Sequence, residues 1–409
     1  MLKLLLLSLP SALAPATSLG PAGPPQDALA EVSGGNLAFA CNSYRQWAKQ
    51  EGNFAFSPYS ISAALAMALH GADGETARQM ESVLHLKQAT AASGFRQLRE
   101  ALTPKPRGEG RWRAIPYELH FANALWARSG FPYLDSFQQS LKQDFGAHFT
   151  DLDFSQTEEA RSQINAWVAE NTKGKISKLL GPGSLDQETS LVLTNAIYLK
   201  ANWALRFNNH NTKDRTFHLA DGKTVMVPTM KQTSPFAVST QDGFRLCELN
   251  YESNQLSMVI LLPDQNLSLA KLEAQLTPEN LKTWLKELRF NKVALEVPKF
   301  RIQSSLNLGS RLKKAGMPLA FDRRMADFGK LSTAEPQALT EVIHQSFLQV
   351  DEDGTEAAAA TAILGAPGAA VGSKGPILFR ADRPFMFLIR HKASNTVLFL
   401  GRVSDPRNQ

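Results

Sequence analysis

Two cysteines in 409 residues, Cys41 and Cys247, are too few and too far apart for a disulfide framework of the kind that staples small exported domains. Both sit in apolar-periodic segments, which favours two buried free thiols over a disulfide. No Cys/His spacing suggests a metal site, and no cofactor motif is present. Eight histidines and many serines and aspartates are not accompanied by a G-x-S-x-G nucleophile motif, so hydrolytic chemistry has no anchor. Phosphate-binding glycine motifs, internal repeats and coiled-coil heptads are also absent. No apolar run approaches the roughly 20 residues needed to span a bilayer. Neither sign of charge dominates: a net +6 permits weak attraction to polyanions but gives no argument for nucleic-acid binding.

What is present describes a large soluble domain. A hydrophobic fraction of 43% and a charged fraction of 20% are ordinary for a globular chain. No linker-like stretch divides the middle, so one domain over residues 36–409 is expected, large enough to fold around its own core. Residues 1–18 carry an early Lys3, an apolar run and then small residues, the outline of a secretory signal peptide cut after Ala14 or Ser18. Residues 19–35 are Pro/Gly-rich and read as a flexible segment. These features predict export, to the extracellular space or to a periplasm. Asn266-Leu267-Ser268 is a formal N-glycosylation acceptor and hints at a surface loop.

Apolar recurrence at three and four residues predicts helices over Asn36–Gln50, Ser60–His70 and Ser162–Glu170. Ser57 followed by Pro58 is a helix start, and Lys173-Gly174 a helix stop. Strands are predicted at Glu118–Trp126, Ser190–Lys200, Leu256–Leu262, Lys292–Pro298, Ser346–Val350 and Thr396–Arg402. The pattern is α+β, with strand partners far apart in sequence.

Between Gly354 and Gly375 the chain reads GTEAAAATAILGAPGAAVGSKG, with no aromatic residue, one acid and one base. An Ala-rich run is ordinarily a helix, and a Gly/Ala/Ser run ordinarily a linker. A third reading is a spare strand. Alternate residues Thr355, Ala357, Ala359, Thr361 and Ile363 form one small, uncharged face; Glu356, Ala358, Ala360 and Ala362 form the other. Such a segment could enter a sheet without burying an unpaired charge.

The flanks favour the third reading. LTEVIHQSFLQVDEDGTEAAAATA and ILFRADRPFMFLIRHKASNTVLFLGRVSDP resemble the hinge and C-terminal signatures of the serpins, the serine protease inhibitor family. NFAFSPYSISAALAMALHGADGET, LHFANALWAR, INAWVAENTKGKI, LVLTNAIYLKANW and ALEVPKFRI follow the family's order, so the resemblance spans roughly Leu37 to Pro406. It implies an α+β fold of three β-sheets and about nine helices, with an exposed reactive-centre loop at about 352–376. It also implies an inhibitor rather than an enzyme, consumed by its partner, a serine protease. The protease attacks a loop bond and forms an acyl-enzyme; the freed limb enters the main sheet, and the tethered protease is distorted before water can release it.

Site residues follow from the same resemblance. The hinge is Gly354, Thr355, Glu356, Ala357, Ala358, Ala359, Ala360, Thr361 and Ala362. Glu352 is expected to pair with Lys299 where the sheet first opens, with Trp203 packed nearby. Ser57, Ser60, Asn195 and His344 match a polar cluster beneath the sheet centre. The scissile bond falls at Gly368-Ala369 counting forward from Gly354, or nearer Ala370, Val371 and Lys374 counting back from Pro384. A bond at Lys374 would add about 20 Å of slack at 3.3 Å per residue. A cut between Gly368 and Val371 is therefore favoured, with small residues suited to elastase-like or subtilisin-like proteases. A basic run, Lys105, Arg107, Arg111 and Arg113, lies where some serpins bind sulfated polysaccharides, but its interleaved prolines and glycines favour a solvated loop. A monomer with a risk of loop–sheet polymerisation is implied. A non-inhibitory carrier, chaperone or storage role, or inhibition of a trypsin-like or cysteine protease instead, is the competing function.

Overall fold

The computed structural model describes residues 28–49, 51–106, 115–332, 337–355 and 375–407. Among these are nine α-helices: α1 (Ala28–Trp47), α2 (Pro58–Gly71), α3 (Gly74–Leu84), α4 (Gln88–Leu102), α5 (Asp135–Ser140), α6 (Thr157–Asn171), α7 (Leu269–Ala274), α8 (Pro278–Lys286) and α9 (Gly309–Ala315). The strands run β1 (Phe54–Phe56), β2 (Tyr117–Arg128), β3 (His148–Leu152), β4 (Leu191–Asn202), β5 (Lys213–His218), β6 (Thr224–Gln241), β7 (Phe244–Asn250) and β8 (Leu256–Pro263). The remainder are β9 (Arg289–Pro298), β10 (Phe300–Asn307), β11 (Leu339–Val350), β12 (Gly354–Thr355), β13 (Ile377–Arg380), β14 (Phe385–His391) and β15 (Thr396–Val403).

Five of the six predicted strands lie within observed ones, and the sixth, Ser190–Lys200, begins one residue before β4. The strand expected at Ser346–Val350 is longer, beginning at Leu339, because its first half pairs with β4. Helix α2 starts as expected: the Ser57 hydroxyl accepts from the Ser60 N–H, and Pro58 occupies the first turn. Helix α6 is stopped just beyond Asn171 by Lys173 and Gly174, both at positive φ, with the Gly174 N–H returned to the Ala169 carbonyl.

Two details differ from expectation. The serpin-type fold stands, and what differs is the grouping of strands: the described strands connect into two hydrogen-bonded networks. Strand β6 is the reason: it pairs with β9 from Thr229 to Val238 and with β7 from Ala237 to Gln241, which joins two groups of strands into one nine-stranded network. The segment expected to be flexible up to residue 35 is helical from Ala28. Its Ala28 and Val32 are fully buried against α4, and Gly35 lies so close to α3 that a Cβ there would meet the His85 carbonyl oxygen at 2.6 Å. Glycine here permits close packing, which composition alone reads as flexibility.

The six-stranded sheet, in the order β10-β11-β12-β4-β2-β3, positions the site. Its inner face, including Leu193, Ile197, Leu199 and Leu348, joins the main core with α1, α2 and the second network. Its outer face carries Val192, Ala196, Ile343 and Phe347 and is covered by Ile164 and Val168 of α6. Burial on both faces explains why β4 reads as a nearly continuous apolar run. Cys41 and Cys247 are buried free thiols. Burial raises both thiol pKa values, that of Cys41 to about 12, so neither is reactive at neutral pH.

Candidate functional site: the mouth of the six-stranded sheet

Strands β4 and β11 run parallel and pair directly from Leu191/Leu339 to Ile197/Ser346. Beyond that point they diverge. The gap is filled at its outer end by β12, whose Thr355 pairs antiparallel with both Val350 and Ala201, while Gly354 pairs with Asn202. The first two hinge residues are thus already strand. A glycine is required at 354, because a Cβ would lie 2.0 Å from the Ala201 carbonyl oxygen. Thr355 is fully buried, and its hydroxyl is 2.6 Å from that of Tyr251. Glu356, Ala357, Ala358, Ala359, Ala360, Thr361 and Ala362 lie outside the described residues, as do Gly368, Ala369, Ala370 and Val371.

At the base of the loop Lys299 Nζ donates to Glu352 Oε2 at 2.7 Å, and Thr212 Oγ1 donates to Oε1 at 2.7 Å. Burial of Glu352 raises its carboxyl pKa, but the Lys299 and Thr212 hydrogen bonds outweigh that effect and hold it below 4.5. Trp203 lies beside the pair. Its indole N–H donates to the Asp351 carbonyl at 2.9 Å, and its ring stacks on Tyr251 at 4.6 Å. Asp351 Oδ1 closes the turn by accepting from the N–H groups of Asp353 and Gly354. Lys299, Glu352 and Trp203 are therefore brought together as the sequence suggested. Tyr251, Thr212 and Asp351 were not foreseen, since nothing in their local sequence marks them.

Below the point of divergence Ser57, Ser60, Asn195 and His344 form one buried network. The Ser57 N–H donates to His344 Nε2 at 3.1 Å, which fixes Nε2 as an acceptor and leaves the proton on Nδ1. That proton is donated to Asn195 Oδ1 at 2.5 Å, tying β11 to β4. Asn195 Nδ2 donates to the Ser60 carbonyl at 2.8 Å, and also to Asn123 Oδ1 on β2. Burial lowers the His344 pKa to about 3, so the ring is neutral at physiological pH. Asn123 was also missed; an asparagine inside the apolar stretch LHFANALWAR was the available signal.

Among the described residues no group of His, Cys, Asp and Glu could hold a metal ion, and no helix is long and apolar enough to cross a membrane. Of the basic run only Lys105 is described; Arg107, Arg111 and Arg113 lie outside. This is a mixed α+β protein whose six-stranded sheet holds Gly354 and Thr355 between two of its own strands. The family model Serpin (serine protease inhibitor) matches residues 34–406, and the chain belongs to the serpin family. It is 38% identical, over 91% of its length and 85% of the relative's, to an uncharacterized serpin-like protein of Thermococcus kodakarensis. The leukocyte elastase inhibitor of Xenopus laevis is 39% identical over 87% of this chain and 93% of the relative. Human thyroxine-binding globulin, solved in complex with thyroxine, superposes with a TM-score of 0.81 at 30% identity, covering 93% of this chain and 99% of that one. The elastase inhibitor's name is that of an inhibitor, not of an enzyme.

Proposed function

We propose that the chain is a secreted suicide inhibitor of serine proteases, cut between Gly368 and Val371 by an elastase-like or subtilisin-like target. One observation carries this reading: Gly354 and Thr355 already occupy the gap between β4 and β11, in a register that the following residues can continue. Continued inward, that register sets Ala357 against Leu199 and Leu348, Ala359 against Ile197 and Ser346, and Thr361 between Asn195 and His344. A hydroxyl would thus arrive where the His344–Asn195 hydrogen bond must break. Glu356 would face Lys200, a counter-ion already on the outer face. Ala358 and Ala360 would lie beneath α6, where larger side chains would be crowded.

The protease serine attacks the scissile carbonyl, the acyl-enzyme ester forms, and the new amino terminus leaves. Insertion then replaces one parallel pairing with two antiparallel ladders, at a net gain of about 0.5–1.5 kcal/mol per added hydrogen bond. The acylated enzyme is carried along, and a shift of about 1 Å in its catalytic groups is enough to stop deacylation. The name of the Xenopus laevis relative and the small residues Ala369 and Ala370 support the elastase-like choice. Export rests on residues 1–18, which lie outside the described residues.

Mixing the protein with elastase, subtilisin and trypsin should yield a denaturant-resistant adduct with one of the first two. The N-terminal residue of the released peptide should fall at Ala369, Ala370 or Val371. A carrier role, favoured by the likeness to thyroxine-binding globulin, predicts instead complete turnover as a substrate and no adduct with any protease.

A further inference from the structure

Beside the loop base, strands β5 and β6 enclose a cleft of about 330 Å³ lined by Asn211, Lys213, Arg215, Lys231, Gln232 and Thr233. Three cations and no acid form its wall. The carboxylate that pairs with its cations is Glu296 on β9, which is only 1% exposed. That one group is shared by Arg380 at 2.6 Å, Lys231 at 3.2 Å and Arg215 at 3.9 Å. Lys213 has no ion-pair partner among the described residues. Three cations thus share one buried acid, and even with Asp214, between Lys213 and Arg215 on β5, the four cations outnumber the acids. Arg215 Nε is buried without a hydrogen-bond partner, a state that costs stability unless an acceptor arrives. The side-chain amides of Asn211 and Gln232 and the Thr233 hydroxyl add polar groups to the same wall.

We propose that this cleft binds a tetrahedral oxyanion, the sulfate or phosphate group of a free ion or of a sulfated polysaccharide. Arg215 and Lys231 supply fixed charge, Lys213 closes over the ligand, and the buried Arg215 Nε gains its missing acceptor. The site is wired to the loop base through one residue. Thr212, between Asn211 and Lys213, donates its hydroxyl to Glu352. Anion binding that fixes residues 211–213 also fixes that contact and restrains the mouth of the sheet. The cleft stands on its own geometry and does not require that the chain inhibit a protease.

The test titrates the intact protein with inorganic sulfate, inorganic phosphate and a sulfated disaccharide, each against sodium chloride at equal ionic strength. Heats of binding and amide hydrogen exchange around Phe207, whose N–H donates to the Glu352 carbonyl, are the readouts. Saturable binding is expected, with exchange slowed by about fivefold. Lys213→Ala, an exposed change that breaks no contact, should weaken binding by about fivefold or more while leaving the melting temperature in chloride unchanged. Binding of the inorganic ions identifies a free-ion site; binding of the disaccharide alone identifies a polysaccharide site. Absence of binding beyond the chloride control, or equal binding by Lys213→Ala, overturns the site. Binding with unchanged exchange overturns its link to the loop base.

Discussion

His344 illustrates how a single buried residue can make the sheet directional. Its ring is held neutral by burial and bridges two backbone-anchored groups, Ser57 and Asn195. In the unfolded chain it takes up a proton below pH 6.5; in the native state it does so only near pH 3. Across that window the unfolded state binds more protons, so native stability falls by about 1.4 kcal/mol for each pH unit lost. His344→Gln should flatten this dependence. The check is the melting temperature of both proteins from pH 7 to pH 4, where the variant's shallower decline is expected once the common contribution of other groups is subtracted. Thr355 makes a sharper test of the proposed mechanism. Its side chain is wholly buried and hydrogen-bonded to Tyr251. Thr355→Arg places an unpaired charge in that pocket and should convert the inhibitor into a substrate, read as cleaved chain without adduct on denaturing gels. An equal yield of adduct would defeat strand insertion.

At the scale of elements, the mouth of the sheet is held by few contacts. Lys299 follows β9, Glu352 follows β11, and Thr212 precedes β5, so three separate strands meet at one carboxylate. Because the folded pKa of Glu352 is depressed, its contribution is complete above about 4.5 and is lost as pH falls through the folded value. Lys299→Met leaves that buried carboxylate short of a donor, at a cost of about 1–3 kcal/mol. Thermal melting should drop accordingly at pH 7, with a smaller difference at pH 3. The elements themselves were largely legible. Strand β4 reads from its nearly continuous apolar run, and the caps of α2 and α6 from Ser57-Pro58 and Lys173-Gly174, because these signals are local. The start of α1 was not, since Gly34 and Gly35 have the composition of a linker and the packing of a helix interface.

For the molecule as a whole, the relation between β4 and β11 matters most. They form a parallel pair adjoined by antiparallel β2 and β10, with a gap at one end and the start of a third strand inside it. A fold that gains pairing when its loop is freed should be more stable after the cut. Cleavage within residues 368–371 is expected to raise the melting temperature by tens of degrees, on the basis of about ten added residues in the ladder at about 0.5–1.5 kcal/mol per bond. Differential scanning calorimetry of intact and nicked protein checks this, and equal melting of the two would remove the basis for inhibition. The same gap is open to other chains. A synthetic peptide matching residues 355–365 should bind the intact protein on warming and abolish adduct formation.

Sequence by itself determined the alternation of the Thr355–Ile363 run, the family-bearing motifs and the chemical identity of the polar cluster, because each is written in neighbouring residues or in ordered signatures. It could not reveal that Tyr251 lies against Trp203, that Asn123 completes the network of Asn195, or that β6 joins two groups of strands. Nor could it show Lys213, Arg215 and Lys231 around one buried glutamate. Those arrangements depend on strand pairings between residues far apart in the chain, and hydrogen-bond partners of that kind exist only once the sheets have formed.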